Sequence, residues 1–113
     1  MRFEIRKGLR MVQGRYESEL KRCISEIVLT ELSDPAIGWV TINDVRLSSD
    51  YRIARVFVSV LDDEQVSLMA LERASGFIRS LLAKRLPWRR MPKIKFELYK
   101  EELDREQGID RYE

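Results

Sequence analysis

Apolar residues recur at three- and four-residue spacing at Tyr16, Leu20, Cys23, Ile24, Ile27 and Val28. That spacing predicts an amphipathic helix over 16–32. Asp34-Pro35 should end it, because the residue before a proline is pushed out of the helical region. The pattern then changes. Segments 39–47, "WVTINDVRL", and 52–61, "RIARVFVSVL", are rich in β-branched residues and read as strands. Ser48 to Tyr51 between them suggests a hairpin turn, with Asp50 placed to bond nearby backbone. In the second strand Ala54, Val56, Val58 and Val60 share one face, and Ile53, Arg55, Phe57, Ser59 and Leu61 share the other. The second face is mixed, so one side of the sheet should stay partly uncovered.

The acids Asp62, Asp63 and Glu64 suit the positive end of a helix. Helical periodicity follows over 65–86, through Val66, Met69, Ala70, Ala74 and Phe77, then Ile78, Leu81 and Leu82. Pro87 stops it. Gly76 in its middle costs about 1 kcal/mol relative to alanine, and a break there would let each half pack separately. After Pro92, Ile94, Phe96 and Leu98 alternate with Lys93, Lys95 and Glu97, which predicts a strand with one buried face. The acidic residues 100–113 should fray. The order is α-β-β-α-(kink)-α-β. It implies a two-layer α+β domain, a three-stranded sheet with helices on one face. The helical crossover should leave the second and third strands parallel.

The 113 residues suit a single domain, 1–113, with 1–13 as a basic N-terminal segment. The one cysteine, Cys23, excludes an internal disulfide and suits a reducing compartment. On the apolar face it reads as core. No apolar run approaches the roughly 18 residues of a membrane span, and no secretory signal is visible. A cytoplasmic protein with no membrane partner is expected, and a monomer by default.

Net charge is +2, but the charges are segregated. Residues 1–22 carry seven bases and three acids, and residues 23–72 carry three bases and nine acids. Residues 73–95 carry eight bases and no acid. Such a layout builds a positive surface on a nearly neutral molecule, and a polyanion such as RNA is its natural partner.

Catalytic chemistry is thin. There is no histidine, the commonest general base and metal ligand. Neither GxGxxG nor GxxxxGK[ST] occurs. Asp62, Asp63 and Glu64 read as a helix cap rather than a cation site. No catalytic residue, metal or cofactor is assigned, and binding is the expected class.

The candidate binding residues follow from the basic stretch. Arg79 and Lys84 fall on the solvent arc of the predicted helix, while Arg85 falls inside the apolar arc. Trp88, Arg89 and Arg90 follow Pro87. An aromatic among arginines can stack a base while the guanidinium groups hold phosphates. Alternatively, Trp88 closes the core beside Pro87. Lys93 and Lys95 project from the outer face of the last strand, with Arg46, Arg52 and Arg55 as further sheet candidates. Arg6, Lys7, Arg10, Arg15, Lys21 and Arg22 lie before or along the first helix.

Four stretches, "LSDP", "VTINDVRLSSDYRIARVFVSV", "ALERASGFIRSLLAKRL" and "MPKIKFEL", together with the element order, closely resemble the bacterial ribosome-binding factor A family. The resemblance implies a type II KH-like fold. An ordinary KH domain clamps nucleic acid with a GxxG loop between two helices. This family replaces the loop with an alanine–x–glycine kink, matched here by Ala74, Ser75 and Gly76. The implied role is binding of the free small (30S) ribosomal subunit and its precursor 16S rRNA. It includes late maturation, 5′-end processing and growth in the cold, without enzymatic activity. The competing reading is a protein–protein adaptor whose basic surface meets an acidic partner.

Overall fold

The computed structural model describes residues 2–100, with side chains described from residue 12 onward. The residues 101–113 of the predicted acidic tail lie outside the described residues. The elements are α1 (Arg2–Thr30), β1 (Val40–Leu47), β2 (Ile53–Val60), α2 (Glu64–Arg85) and β3 (Lys93–Leu98). The sheet order is β1-β2-β3. The hairpin pairs antiparallel, and the crossover through α2 leaves β2 and β3 parallel. This is the expected two-layer α+β arrangement.

Both helices cover the same sheet face. Leu20, Ile24 and Ile27 of α1 and Leu71, Ile78 and Leu82 of α2 are fully buried with Ala54, Val56 and Val58 of β2. Cys23 is buried among them. Among the described residues no helix covers the opposite face. There Phe57 is nonetheless only 3% exposed. The Arg46 and Arg55 guanidinium carbons lie 5.8 and 5.3 Å from its ring centre, which shields the ring by cation–π contact. Arg55 also donates to Glu97 Oε1 from Nη2 at 2.8 Å.

Local chemistry sets the boundaries. The Asp63 carboxylate accepts the Val66 amide at 3.1 Å, a proper N-cap for α2. Asp34 accepts the Ala36 amide at 2.9 Å in the turn after α1. Gly38 sits at φ +67°, and a Cβ there would lie 2.7 Å from Asp62 Oδ2. The left-handed φ there favours glycine at that turn.

Three expectations need correction. The first helix starts at Arg2, not near residue 16. Gly8 and Gly14 weaken helix propensity, but no proline interrupts the segment, and Gln13 and Glu17 tie it to the end of β1. Second, α2 is one uninterrupted helix through Gly76, without the anticipated break. Its buried positions Ala70, Leu71, Ile78 and Leu82 continue on one side across the glycine, and that packing outweighs about 1 kcal/mol of propensity. Third, Val66, Met69 and Phe77 do not face the core. They are 45%, 59% and 49% exposed. The buried stripe instead includes Ser67, whose hydroxyl donates to the Ile37 carbonyl at 2.8 Å. A satisfied hydroxyl is tolerated in the core, and it turns α2 away from the orientation its apolar residues alone suggest.

Candidate nucleic-acid interface

The segment between α2 and β3, "LPWRRMP", is held at several points. Leu86 caps α2 by donating its amide to the Leu82 carbonyl at 2.9 Å. Arg79 donates to the Met91 carbonyl from Nη2 at 2.9 Å and from Nε at 3.2 Å. The Lys93 amide donates to the Arg52 carbonyl at 2.8 Å, which brings β3 beside the hairpin tip. Pro87 and Pro92 restrict the backbone at either end. A short, fixed loop is thereby placed next to the β1–β2 turn.

Two adjoining clefts result. The first, of about 440 Å³, is lined by Tyr16, Leu47, Tyr51, Pro87, Trp88, Arg89, Arg90 and Pro92. Tyr16 meets Trp88 edge-on at 4.9 Å between ring centres and Tyr51 edge-on at 5.7 Å. The second cleft gathers Arg52, Arg79, Arg89, Arg90 and Lys93 with Tyr51, Met91 and Asp50. Among the described residues, five bases therefore converge on one end of the domain against one lining acid. The Asp50 carboxyl is held below the usual carboxylate range, first by the Ser48 hydroxyl and then by the Arg52 amide. It stays ionised and tempers the positive charge.

The candidate residues separate into distinct settings. Arg89, Arg90 and Lys93 are exposed at the cleft and have no ion-pair partner among the described residues. Lys95 is exposed on the open sheet face beside Arg55. Lys84 is exposed on α2, and Arg15 and Lys21 on α1. Arg22 pairs with Glu26 one turn along α1 at 3.6 Å. The side chains of Arg6, Lys7 and Arg10 lie outside the described residues. Arg85 ties the two helices together, reaching Glu31 at 3.0 Å and Glu26 at 3.8 Å. Arg79 does not simply point into solvent, since two of its donors are spent on Met91. Trp88 is half-buried and packs against the core, yet it also lines the first cleft.

Within Ala74-Ser75-Gly76, the Ser75 hydroxyl donates to the Glu72 carbonyl at 2.7 Å. A Cβ at Gly76 would meet nothing within 4 Å.

Sequence reasoning missed Tyr16 and Tyr51 as site residues. By spacing, Tyr16 belongs to the apolar stripe of α1 and gives no other signal. Tyr51 carries a stronger one, because an aromatic sits where a turn favours glycine or asparagine. Its φ is +62°, and no other described non-glycine residue has a positive φ.

The family profile of ribosome-binding factor A matches residues 12–112. A ribosome-binding factor A from Thermodesulfovibrio yellowstonii is 46% identical over 94 residues, covering 81% of this chain and 79% of that protein. The chain belongs to the ribosome-binding factor A family. Its fold agrees with that assignment. The crystal structure of the Thermus thermophilus ribosome-binding factor A superposes with a TM-score of 0.75 at 32% identity, covering 79% of this chain and 97% of that one. A homology model of the Thermus thermophilus ribosome-binding factor A, fitted into a cryo-EM map of a 30S complex, gives a TM-score of 0.64 at 34% identity, covering 73% of this chain and 89% of that one. No described helix is long and apolar enough to cross a membrane.

Proposed function

We propose that this chain binds the immature small ribosomal subunit, contacts its 16S rRNA and assists late maturation, including processing of the 5′ end. One observation carries the proposal. Arg52, Arg79, Arg89, Arg90 and Lys93 converge on a single cleft, and the described structure supplies no ion-pair partner for Arg89, Arg90 or Lys93. Unneutralised cations grouped in this way fit RNA phosphates. The fitted 30S complex of the Thermus thermophilus relative supports the same reading.

In this account Arg89, Arg90 and Lys93 are the principal phosphate ligands. Lys84 and Lys95 extend the surface, with Arg6, Lys7, Arg10, Arg15, Lys21 and Arg22 widening it along α1. Arg79 and Arg85 position the loop and the helices while adding to the local field. Catalysis is not required. A bound protein shifts an RNA equilibrium by its differential affinity for two conformations. A monomeric, cytoplasmic protein with a role in the cold belongs to the same proposal.

Cosedimentation with free small subunits across a salt series tests it. Removing one phosphate-binding side chain should flatten the slope of log K against log salt by about 0.7 to 0.9. Arg89→Glu combined with Arg90→Glu should abolish pelleting near physiological salt without unfolding the protein. Unchanged pelleting would overturn the assigned surface. The adaptor reading turns the same basic surface toward an acidic protein partner. It predicts binding to a protein partner that survives RNase, whereas the RNA reading predicts its loss.

A further inference from the structure

The aromatic cleft has the makings of a ligand site. Tyr16 and Tyr51 are each 37% exposed, and Trp88 is half-buried. Their two edge-on contacts occupy at most two of six ring faces. The cleft volume of about 440 Å³ lies within the range of small-molecule sites. Its walls are aromatic rings and proline rings, and Arg89 and Arg90 stand at its rim, shared with the adjoining basic cleft.

Tyr51 adds an independent observation. It holds a left-handed backbone, φ +62°, which disfavours a bulky side chain by about 1–2 kcal/mol. Glycine would relieve the strain. Strain that persists at a binding-type cleft points from the outlier to a use for the side chain. The Tyr51 ring lines both clefts, so it stands between the aromatic wall and the phosphate-attracting bases.

We infer that this cleft is a stacking site for one unpaired RNA base, with the phosphates flanking that base held by Arg89, Arg90 and Lys93. This rests on the RNA reading above and names the form of RNA taken. A duplex hides its base faces, so the ligand is a splayed or single-stranded nucleotide. The Leu47 backbone groups in the cleft wall are already bonded to Gln13 and Glu17, and the prolines offer no N–H. Recognition is by ring face, which every base presents, and is tolerant of base identity.

The test uses the full chain carrying Trp39→Phe, so that Trp88 is the only tryptophan. The probes are a single-stranded adenylate hexanucleotide, the same strand with abasic sugars, and a blunt RNA duplex. The hexanucleotide should quench Trp88 emission, and the abasic strand and the duplex should not. Tyr51→Gly should weaken hexanucleotide binding at least fivefold while leaving the urea midpoint unchanged or higher, which separates binding from folding. Equal binding of the abasic strand overturns the stacking site. So does hexanucleotide binding without a Trp88 signal, or no hexanucleotide binding at all. Failure of the parent reading has a different signature. There the wild-type protein does not pellet with free small subunits.

Discussion

The Glu17 carboxylate on α1 accepts the backbone amide of Leu47, the last residue of β1, at 2.7 Å. Gln13, one turn earlier, donates its side-chain amide to the Leu47 carbonyl at 2.8 Å. Edge strand β1 is thus closed by helix side chains at the point where it approaches the aromatic cleft. The other edge strand is treated alike, with Phe96 donating its amide to Glu72 at 2.8 Å. Satisfied edge groups discourage strand addition by another chain.

Glu17→Ala should leave the buried end of β1 with an unpaired amide. A buried donor without a partner costs about 1–3 kcal/mol. The stability read from urea denaturation should fall by that amount, and Glu17→Gln, which keeps an acceptor oxygen, should restore part of it.

Two arginines of the same basic stretch should behave differently. Arg79→Ala removes both bonds to the Met91 carbonyl and should lower stability by about 1 kcal/mol. Arg89→Ala should change stability by less than about 0.5 kcal/mol and weaken only subunit binding. Equilibrium denaturation beside cosedimentation separates the two roles.

The glycines make a second contrast. Gly76→Ala meets open space and should stabilise α2 by about 1 kcal/mol. Gly38→Ala is strained by its φ of +67°, while the exposed Asp62 carboxylate can swing aside. It should lower the thermal midpoint, as read by circular dichroism. A loss of stability in Gly76→Ala would show that the free fold needs the glycine.

These contrasts mark which features are legible in the sequence and which are not. The β-branched runs with Pro87 and Pro92 are enough for the hairpin, the crossover and β3, because alternation and proline chemistry are local. The rotation of α2 is hidden, because Ser67 takes a core position through a bond to Ile37, 30 residues away. The division of labour among the bases is hidden for the same reason. Nothing in the spacing of Arg79 or Arg85 reveals a carbonyl at Met91 or carboxylates at Glu26 and Glu31. The basic stretch is visible as charge, but Tyr16, Tyr51 and Trp88 meet only after the chain has folded.

Acid should weaken the sheet through Glu97. Its hydrogen bond with Arg55 holds that carboxyl below the usual glutamate value, which is about 4.3. A depressed folded value means the stabilisation is complete above the unfolded value and is lost as pH falls through the folded one. Urea midpoints of the wild type should therefore decline in that acid range. Glu97→Gln should decline less, since it has no charge to lose.

The central claim is that the end of the domain carrying Tyr51, Arg89, Arg90 and Lys93 faces ribosomal RNA. Cys23 is buried, and burial raises its thiol pKa, so an introduced surface cysteine can be labelled selectively. An iron chelate tethered at Ser49→Cys sits on the hairpin turn. One tethered at Leu61→Cys sits past the far end of β2, about 26 Å away. With free small subunits bound, hydroxyl radicals from position 49 should cut 16S rRNA strongly, and those from position 61 weakly. Cutting that is equal from both positions, or stronger from position 61, would contradict the account.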